Sequence, residues 1–151
     1  MQQLLIIGVE GKRMGWPIAD LSEVLPLSSL HPLPGAYPCL MGMALHRGRL
    51  LTLVDLRALL DLTASEEIPR LFVRLADPAD HLAIGIPEVE AVIPYSEMDL
   101  RAEEAEGLWA GLYPWEESWI SVVQPEAVVD HLSVAMSDYL RSQSDGRMHA
   151  S

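Results

Sequence analysis

An internal repeat constrains this chain more than any other feature. A fixed offset lays residues 42–60 on residues 111–129 without a gap. Gly42 then meets Gly111, Leu51-Thr52-Leu53-Val54 meets Ile120-Ser121-Val122-Val123, and Leu59-Leu60 meets Val128-Val129. An offset shorter by one lays Val24-Leu25-Pro26 on Val92-Ile93-Pro94. Residue class is kept better than identity, so chance agreement between two strand-helix segments competes with duplication. We read it as duplication: one small β unit present twice, each copy closing on a helix.

The local grammar agrees with many short strands. Residues 3–9 and 14–18 flank a turn at Glu10-Gly11-Lys12, and 22–25 is extended. Pro26, Pro32, Pro34 and Pro38 then impose a loop, because their nitrogens cannot join a ladder. Residues 41–46 and 49–54 make a hairpin about Arg47-Gly48, Asp55 can cap a short helix through Leu60, and polar 63–69 breaks the chain. Further strands are expected at 71–75, 81–86 and 89–93, with a turn at Asp77-Pro78-Ala79-Asp80. Acidic 96–107 suits a solvated loop or short surface helix. Residues 108–115 and 119–123 form another hairpin about Glu116-Glu117, and Pro125 opens a helix with Val128, Leu132, Ala135, Met136 and Tyr139 on one face. Short strands in such numbers manage their edges by curling into small barrels. The expected organisation is one mainly β domain over 1–151. Lobe 1 spans approximately 14–68 and lobe 2 approximately 69–124, with the N-terminal segment able to exchange a strand. A C-terminal helix follows at approximately 125–141, and 142–151 is expected to be disordered.

Half of the 151 residues are hydrophobic, enough for a core without staples. Cys39 is the single cysteine, so no intramolecular disulfide can form. Residues 4–9 are too short for a secretory core, lack a basic leader and run into Glu10 and Lys12. No stretch approaches the roughly 20 apolar residues of a membrane span, so a cytoplasmic protein without membrane insertion is expected. The net charge of -12 opposes nucleic acid and anionic lipid alike. That charge serves solubility, or else steers a basic partner.

The chain offers little to catalysis. His31, His46, His81, His131 and His149 are scattered outside any metal-binding spacing, and no nucleophile elbow or phosphate loop occurs. No metal or cofactor is therefore expected. Glu66-Glu67, Glu103-Glu104 and Glu116-Glu117 fall in turns or loops, where water keeps carboxylates ordinary. Cys39 has no basic neighbour in sequence and reads as an inert thiol. A small carboxylate-dependent hydrolase is the alternative from another class.

Arg47-Gly48 is the feature left over. A glycine free to take positive φ beside a forked donor fits an ordinary solvated turn first and a presented contact second. The surrounding string is Leu33-Pro34-Gly35-Ala36, then Gly42, Arg47-Gly48, Val54-Asp55-Leu56-Arg57 and Leu59-Leu60. It resembles the signature of the CheW-like chemotaxis coupling proteins, in which a proline-rich loop, a glycine, an Asn-Leu-Arg-Gly turn and a Val-Asp-Leu helix start follow in this order. The likeness extends upstream through Ile18, Leu21, Glu23 and Val24 and downstream to Val128, covers most of the chain, roughly residues 4–140, and is most specific over 33–60. It implies two pseudo-repeated five-stranded SH3-like barrel lobes with short helices and no catalytic activity. It also implies two partners, the regulatory domain of a CheA-type histidine kinase and the cytoplasmic tip of a chemoreceptor. Carried over residue by residue, the partner-binding positions are Arg47, Gly48, Glu23, Leu21 and Gly42. The chain departs from the pattern at Leu45-His46, where the family has Asn-Leu, at Ala83 and at Ile86-Pro87; Glu116 stands at the repeat position of Arg47. A specialised adaptor, for a particular receptor or a surface-motility array, fits these departures, as does an adaptor that has lost one contact or an interaction module outside chemotaxis.

Overall fold

Turn residues that accept positive φ set where each hairpin reverses. β1 (Gln2–Val9) and β2 (Lys12–Pro17) join at Glu10-Gly11, with φ of 50° and 79°. β4 (Leu40–His46) and β5 (Arg49–Asp55) join at Arg47-Gly48, with φ of 50° and 78°. Positive φ at both central residues matches the turn's twist to that of the flanking strands. The structure, a computed structural model, describes residues 2–26, 31, 39–60, 62 and 69–150, side chains excepted at 139 and 143–150. The expected loop through Pro32, Pro34 and Pro38, and the break at 63–68, lie outside the described residues.

Between the two hairpins a 3-10 turn, Ile18–Asp20, leads into β3 (Leu21–Pro26). After β5, the Asp55 carboxylate accepts the Arg57 N–H at 3.0 Å and starts α1 (Leu56–Leu59). β6 (Leu71–Leu75), β7 (Leu82–Ile86) and β8 (Val89–Tyr95) follow. The acidic stretch forms two 3-10 turns, Glu97–Asp99 and Ala102–Glu104. β9 (Trp109–Trp115), β10 (Ser118–Val123) and α2 (Pro125–Ala150) complete the chain. β8 runs through Pro94, beyond the expected end at Ile93. It can do so because it is an edge strand, as are β3 with Pro26 and β9 with Pro114. α2 continues past residue 141, where the sequence reading ended it. No proline follows Pro125, and Arg141, Gln143, Arg147 and Ala150 are good helix formers.

The strands form two five-stranded sheets, in the orders β8-β1-β2-β10-β9 and β3-β6-β7-β5-β4. The two orders correspond strand for strand under the repeat. β4 pairs with β5 through a bulge at Gly42, β9 with β10 through a bulge at Gly111, and these glycines share a φ near 150° (153° and 149°). The outer edge of each copy is bridged at the equivalent residue, Met43 by His31 and Leu112 by Arg101. The duplicated register therefore gives two SH3-like lobes. The sheets do not divide the chain at one point: β6 and β7 complete the sheet of β3–β5, while β1 and β2 complete that of β8–β10.

Each lobe has its own interior. Leu25, Ala44, Leu51, Leu53, Phe72 and Ala83 fill one, and Leu4, Ile6, Tyr95, Tyr113, Ile120 and Val122 fill the other. A larger third cluster joins them: Leu5, Ile7, Met14 and Trp16 of one sheet meet Val54, Val73, Leu75 and Ile84 of the other, with Val128 of α2. Beside this junction Asp20 is held near Glu97 and Glu126. Burial first, and then those two carboxylates, push its carboxyl above the usual range. An acid whose folded pKa is raised is destabilising at neutral pH, and the penalty fades as pH falls through that pKa. Asp20→Asn should therefore raise the melting temperature at pH 7, by about 2 °C after solvent screening. The gain should vanish in melts taken below the ordinary carboxylate range.

Candidate partner-binding hairpin

The β3–β6 register sets Glu23 opposite Arg74, and the turn after β6 returns Asp80 to the same place. Arg74 is 12% exposed and joins the group: Nη1 donates to Glu23 Oε1 at 3.0 Å, Nε to the Asp80 carbonyl at 2.7 Å, and Nη2 lies 3.5 Å from Asp80 Oδ2. The β4–β5 turn adds its own charges from the far end of the sheet. Arg49 Nη1 lies 2.6 Å from Asp80 Oδ2, His46 Nε2 is 3.5 Å from Glu23 Oε1, and Arg47 Nη1 is 3.9 Å from Glu23 Oε2. His46 Nε2 is buried and makes no hydrogen bond among the described residues, so its contact with Glu23 is proximity alone.

The sequence-derived positions divide between this surface and its support. Arg47, Gly48 and Glu23 come together, and Arg47 is 80% exposed. Gly48 has φ of 78° and nothing within 4 Å of where a Cβ would stand, so its requirement is conformational, not steric. Glu23 is only 25% exposed and ion-paired on its inner side, so Glu23→Arg tests the fold as well as a contact. Leu21 is half-buried against the shared core, and Gly42 is buried at its bulge. Arg49, Arg74 and Asp80 were not foreseen. The signal for Arg74 was one charge inside the apolar run Leu71-Phe72-Val73-Arg74-Leu75, which must find a partner to be tolerated.

The hydrogen bond from Arg74 holds the Glu23 carboxyl below its usual range, against the opposing effect of burial and with help from His46 and Arg47. Arg49 does the same for Asp80, again against burial. A depressed carboxylate pKa contributes stability above the unfolded value, and that contribution is lost as pH falls through the folded one. Arg74→Met removes charge-assisted bonds from a mostly covered site, so at neutral pH it should cost about 2 kcal/mol, or roughly 4–8 °C of melting temperature. The variant should also lose less stability than the parent between neutral pH and pH 3. A parallel pH profile for the two proteins would contradict the assignment.

At the equivalent turn the second lobe carries the opposite charge, with partners on different strands. Glu116, with φ of 54°, stands at the turn, 3.8 Å from Arg13 Nη1; Arg13 Nε donates to Glu90 Oε2 at 2.9 Å, and its guanidinium lies 5.0 Å from the centre of the Trp115 ring. A groove of ≈ 480 Å³ beside the start of α2 contains Asp20, Asp77, Glu126 and Asp130. His81 lines it as well, and the Asp20 carboxyl is raised there by burial first and then by Glu97 and Glu126. The described residues contain no group of three or more His, Cys, Asp or Glu able to hold a metal ion.

Comparison with known proteins agrees with this architecture. The fold resembles the crystal structure of the scaffolding protein TtCheW from Thermoanaerobacter tengcongensis, with a TM-score of 0.69 and 14% identity over 82% of this chain and 84% of that one. No curated protein matches the chain at a significant level. The family model for the CheW-like domain matches residues 3–133, nearly the whole span from β1 into α2. A repeat that folds into two linked five-stranded lobes, with the Arg-Gly hairpin on the first, thus places the chain in the CheW-like domain family.

Proposed function

We propose that this chain is a non-catalytic cytoplasmic adaptor. It would couple the regulatory domain of a CheA-type histidine kinase to the cytoplasmic tip of a chemoreceptor, in a chemotaxis or surface-motility array. The carrying observation is the Arg47-Gly48 hairpin. An exposed guanidinium stands over a largely covered group of Glu23, Arg74 and Asp80, joined from the surface by Arg49, on a domain of the CheW-like family. The network braces the hairpin beneath Arg47, whose own long, exposed contact with Glu23 leaves the guanidinium available to a partner. In this reading Arg47 makes the contact, Glu23 orients it, Gly48 and Gly42 shape the hairpin, and Leu21 anchors β3 beneath it. No described helix is long and apolar enough to cross a membrane. The lobes act together as one domain.

The departures bear on this reading. His46, where the family has leucine, is packed beside Glu23, and Ala83 is fully buried in β7, so both substitutions are absorbed within the first lobe. Affinity capture with purified kinase regulatory domain and receptor-tip fragments tests the proposal. Binding of both is the expected result. Binding of one alone would reduce the chain to a single-contact module, and binding of neither would remove the chemotaxis assignment.

A further inference from the structure

We propose that the groove between α1, the β1–β2 turn and α2 binds a small amphipathic carboxylate, its apolar body lying against the groove walls and its head taken by Lys12 and His131. The groove measures ≈ 480 Å³, within the range of about 300–1,000 Å³ that small-molecule sites occupy. Strand alternation puts Lys12 on the same face of β2 as Met14, and Val9 stands opposite Lys12 in the register. The β1–β2 hairpin therefore supplies one wall with an exposed cation at its end. α1 supplies a second wall through Leu59, the segment entering β9 a third through Leu108 and Trp109, and α2 a fourth through His131. Leu108 and Trp109 pack on the shared core yet are only half-buried, which leaves apolar surface open to the groove.

Charge selects the occupant. The chain carries a net charge of -12, and Lys12 is its single lysine. Neither Lys12 nor His131 has a hydrogen bond or ion pair among the described residues, whereas Arg13, which also borders the groove, is paired with Glu90 and lies 3.8 Å from Glu116. One free ammonium and one imidazole N–H are donors enough for a single carboxylate. Glu106, on the same lining, repels a second negative charge, and with Arg13 engaged no guanidinium fork is left in the groove to clamp a phosphate. A neutral apolar ligand would cover the ammonium without pairing it, which costs binding energy. The walls come from both sheets: Lys12 and Met14 belong to the sheet of β1 and β2, while Leu59 follows β5 of the other. A bound ligand thus ties the lobes together and stabilises the folded chain by mass action. None of Arg47, Gly48, Glu23, Leu21 and Gly42 lines the groove, so its occupancy is separate from the hairpin contact and is measured without kinase or receptor fragments.

Calorimetric titration of the full chain with octanoate decides it, with 1-octanol as the same apolar body lacking the charge. Octanoate should bind saturably at a single site, raise the melting temperature and perturb tryptophan fluorescence through Trp109. Octanol should bind about tenfold more weakly, the worth of one charge-assisted hydrogen bond. Lys12→Met keeps an apolar stem and removes the ammonium, so it should weaken octanoate by about the same factor and leave octanol unchanged. Because Lys12 is the single lysine, reductive methylation with peptide mapping reports directly on its cover: octanoate should slow methylation of Lys12 and spare that of the amino terminus. Leu108→Glu sets a carboxylate in the groove and should abolish octanoate binding. A thermal melt identifies a Leu108→Glu chain that has failed to fold, and Lys12→Met, at an exposed position, then supplies the comparison. Octanoate that fails to bind up to about 1 mM would overturn the proposal. So would octanol that binds as tightly, a Lys12→Met chain that binds octanoate like wild type, or Lys12 methylated at one rate with and without octanoate. A chain that captures both fragments and takes no octanoate would leave the adaptor reading intact; one that binds octanoate and captures neither fragment would leave only this site.

Discussion

Trp16→Ala should destabilise the protein by about 3–5 kcal/mol, the cost of emptying a large aromatic site in a packed core. Against a total of about 5–15 kcal/mol for a native domain, this variant stands near the edge of folding, with a melting temperature lower by roughly 6–20 °C. Trp16 is fully buried, and its cluster draws Leu5, Ile7 and Met14 from its own sheet and Val54, Val73 and Ile84 from the other. The lobes therefore lose the same support at once, and the variant should still melt in one transition. Circular dichroism and tryptophan fluorescence, which senses Trp109, Trp115 and Trp119 in the second lobe, should give coincident curves. Separate transitions would show that the shared cluster does not couple the lobes. Trp16→Phe should cost much less. It keeps most of the volume and removes an indole N–H that is buried without a hydrogen-bond partner among the described residues.

How far the sequence foretells this structure depends on whether the determining residues are neighbours along the chain. The hairpins were legible because their turns are written locally: Glu10-Gly11 and Arg47-Gly48 take the positive φ that the strands on either side require. The copies were legible because Gly42 and Gly111 mark one bulge in one register. A strand exchange by the N-terminal segment was open in the sequence, but which hairpin completes which sheet was not legible. The joins are the parallel pairings of β5 with β7 and β10 with β2, and a repeat is equally compatible with either partner copy. The site divides in the same way. Arg47 and Gly48 were visible as a turn, whereas the pairing that supports them joins Glu23 to Arg74, 51 residues apart, and no spacing rule connects strands that meet only through the sheet.

Arg47→Ala should leave the fold nearly unchanged and sharply reduce partner binding. At 80% exposure and 3.9 Å from Glu23, Arg47 adds little to stability; an exposed turn residue of this kind shifts folding by within about 0.5 kcal/mol. The network beneath remains intact, because Arg74 and Arg49 hold Glu23 and Asp80 without it. In an interface the same side chain is worth more: truncating a desolvated arginine anchor commonly costs about 2 kcal/mol or more, roughly thirtyfold in affinity. Gly48→Val separates contact from scaffold. A β-branched residue forced to φ of 78° strains the hairpin even though the space around it is open, so folding and binding should both suffer. The measurement is affinity for kinase and receptor fragments beside a thermal melt for each variant. Unchanged affinity for both fragments in Arg47→Ala would return the residue to a solvating turn. An Arg47→Ala melt as damaged as that of Gly48→Val would make its role structural, and binding lost without a change in melting would establish the hairpin tip as the docking surface.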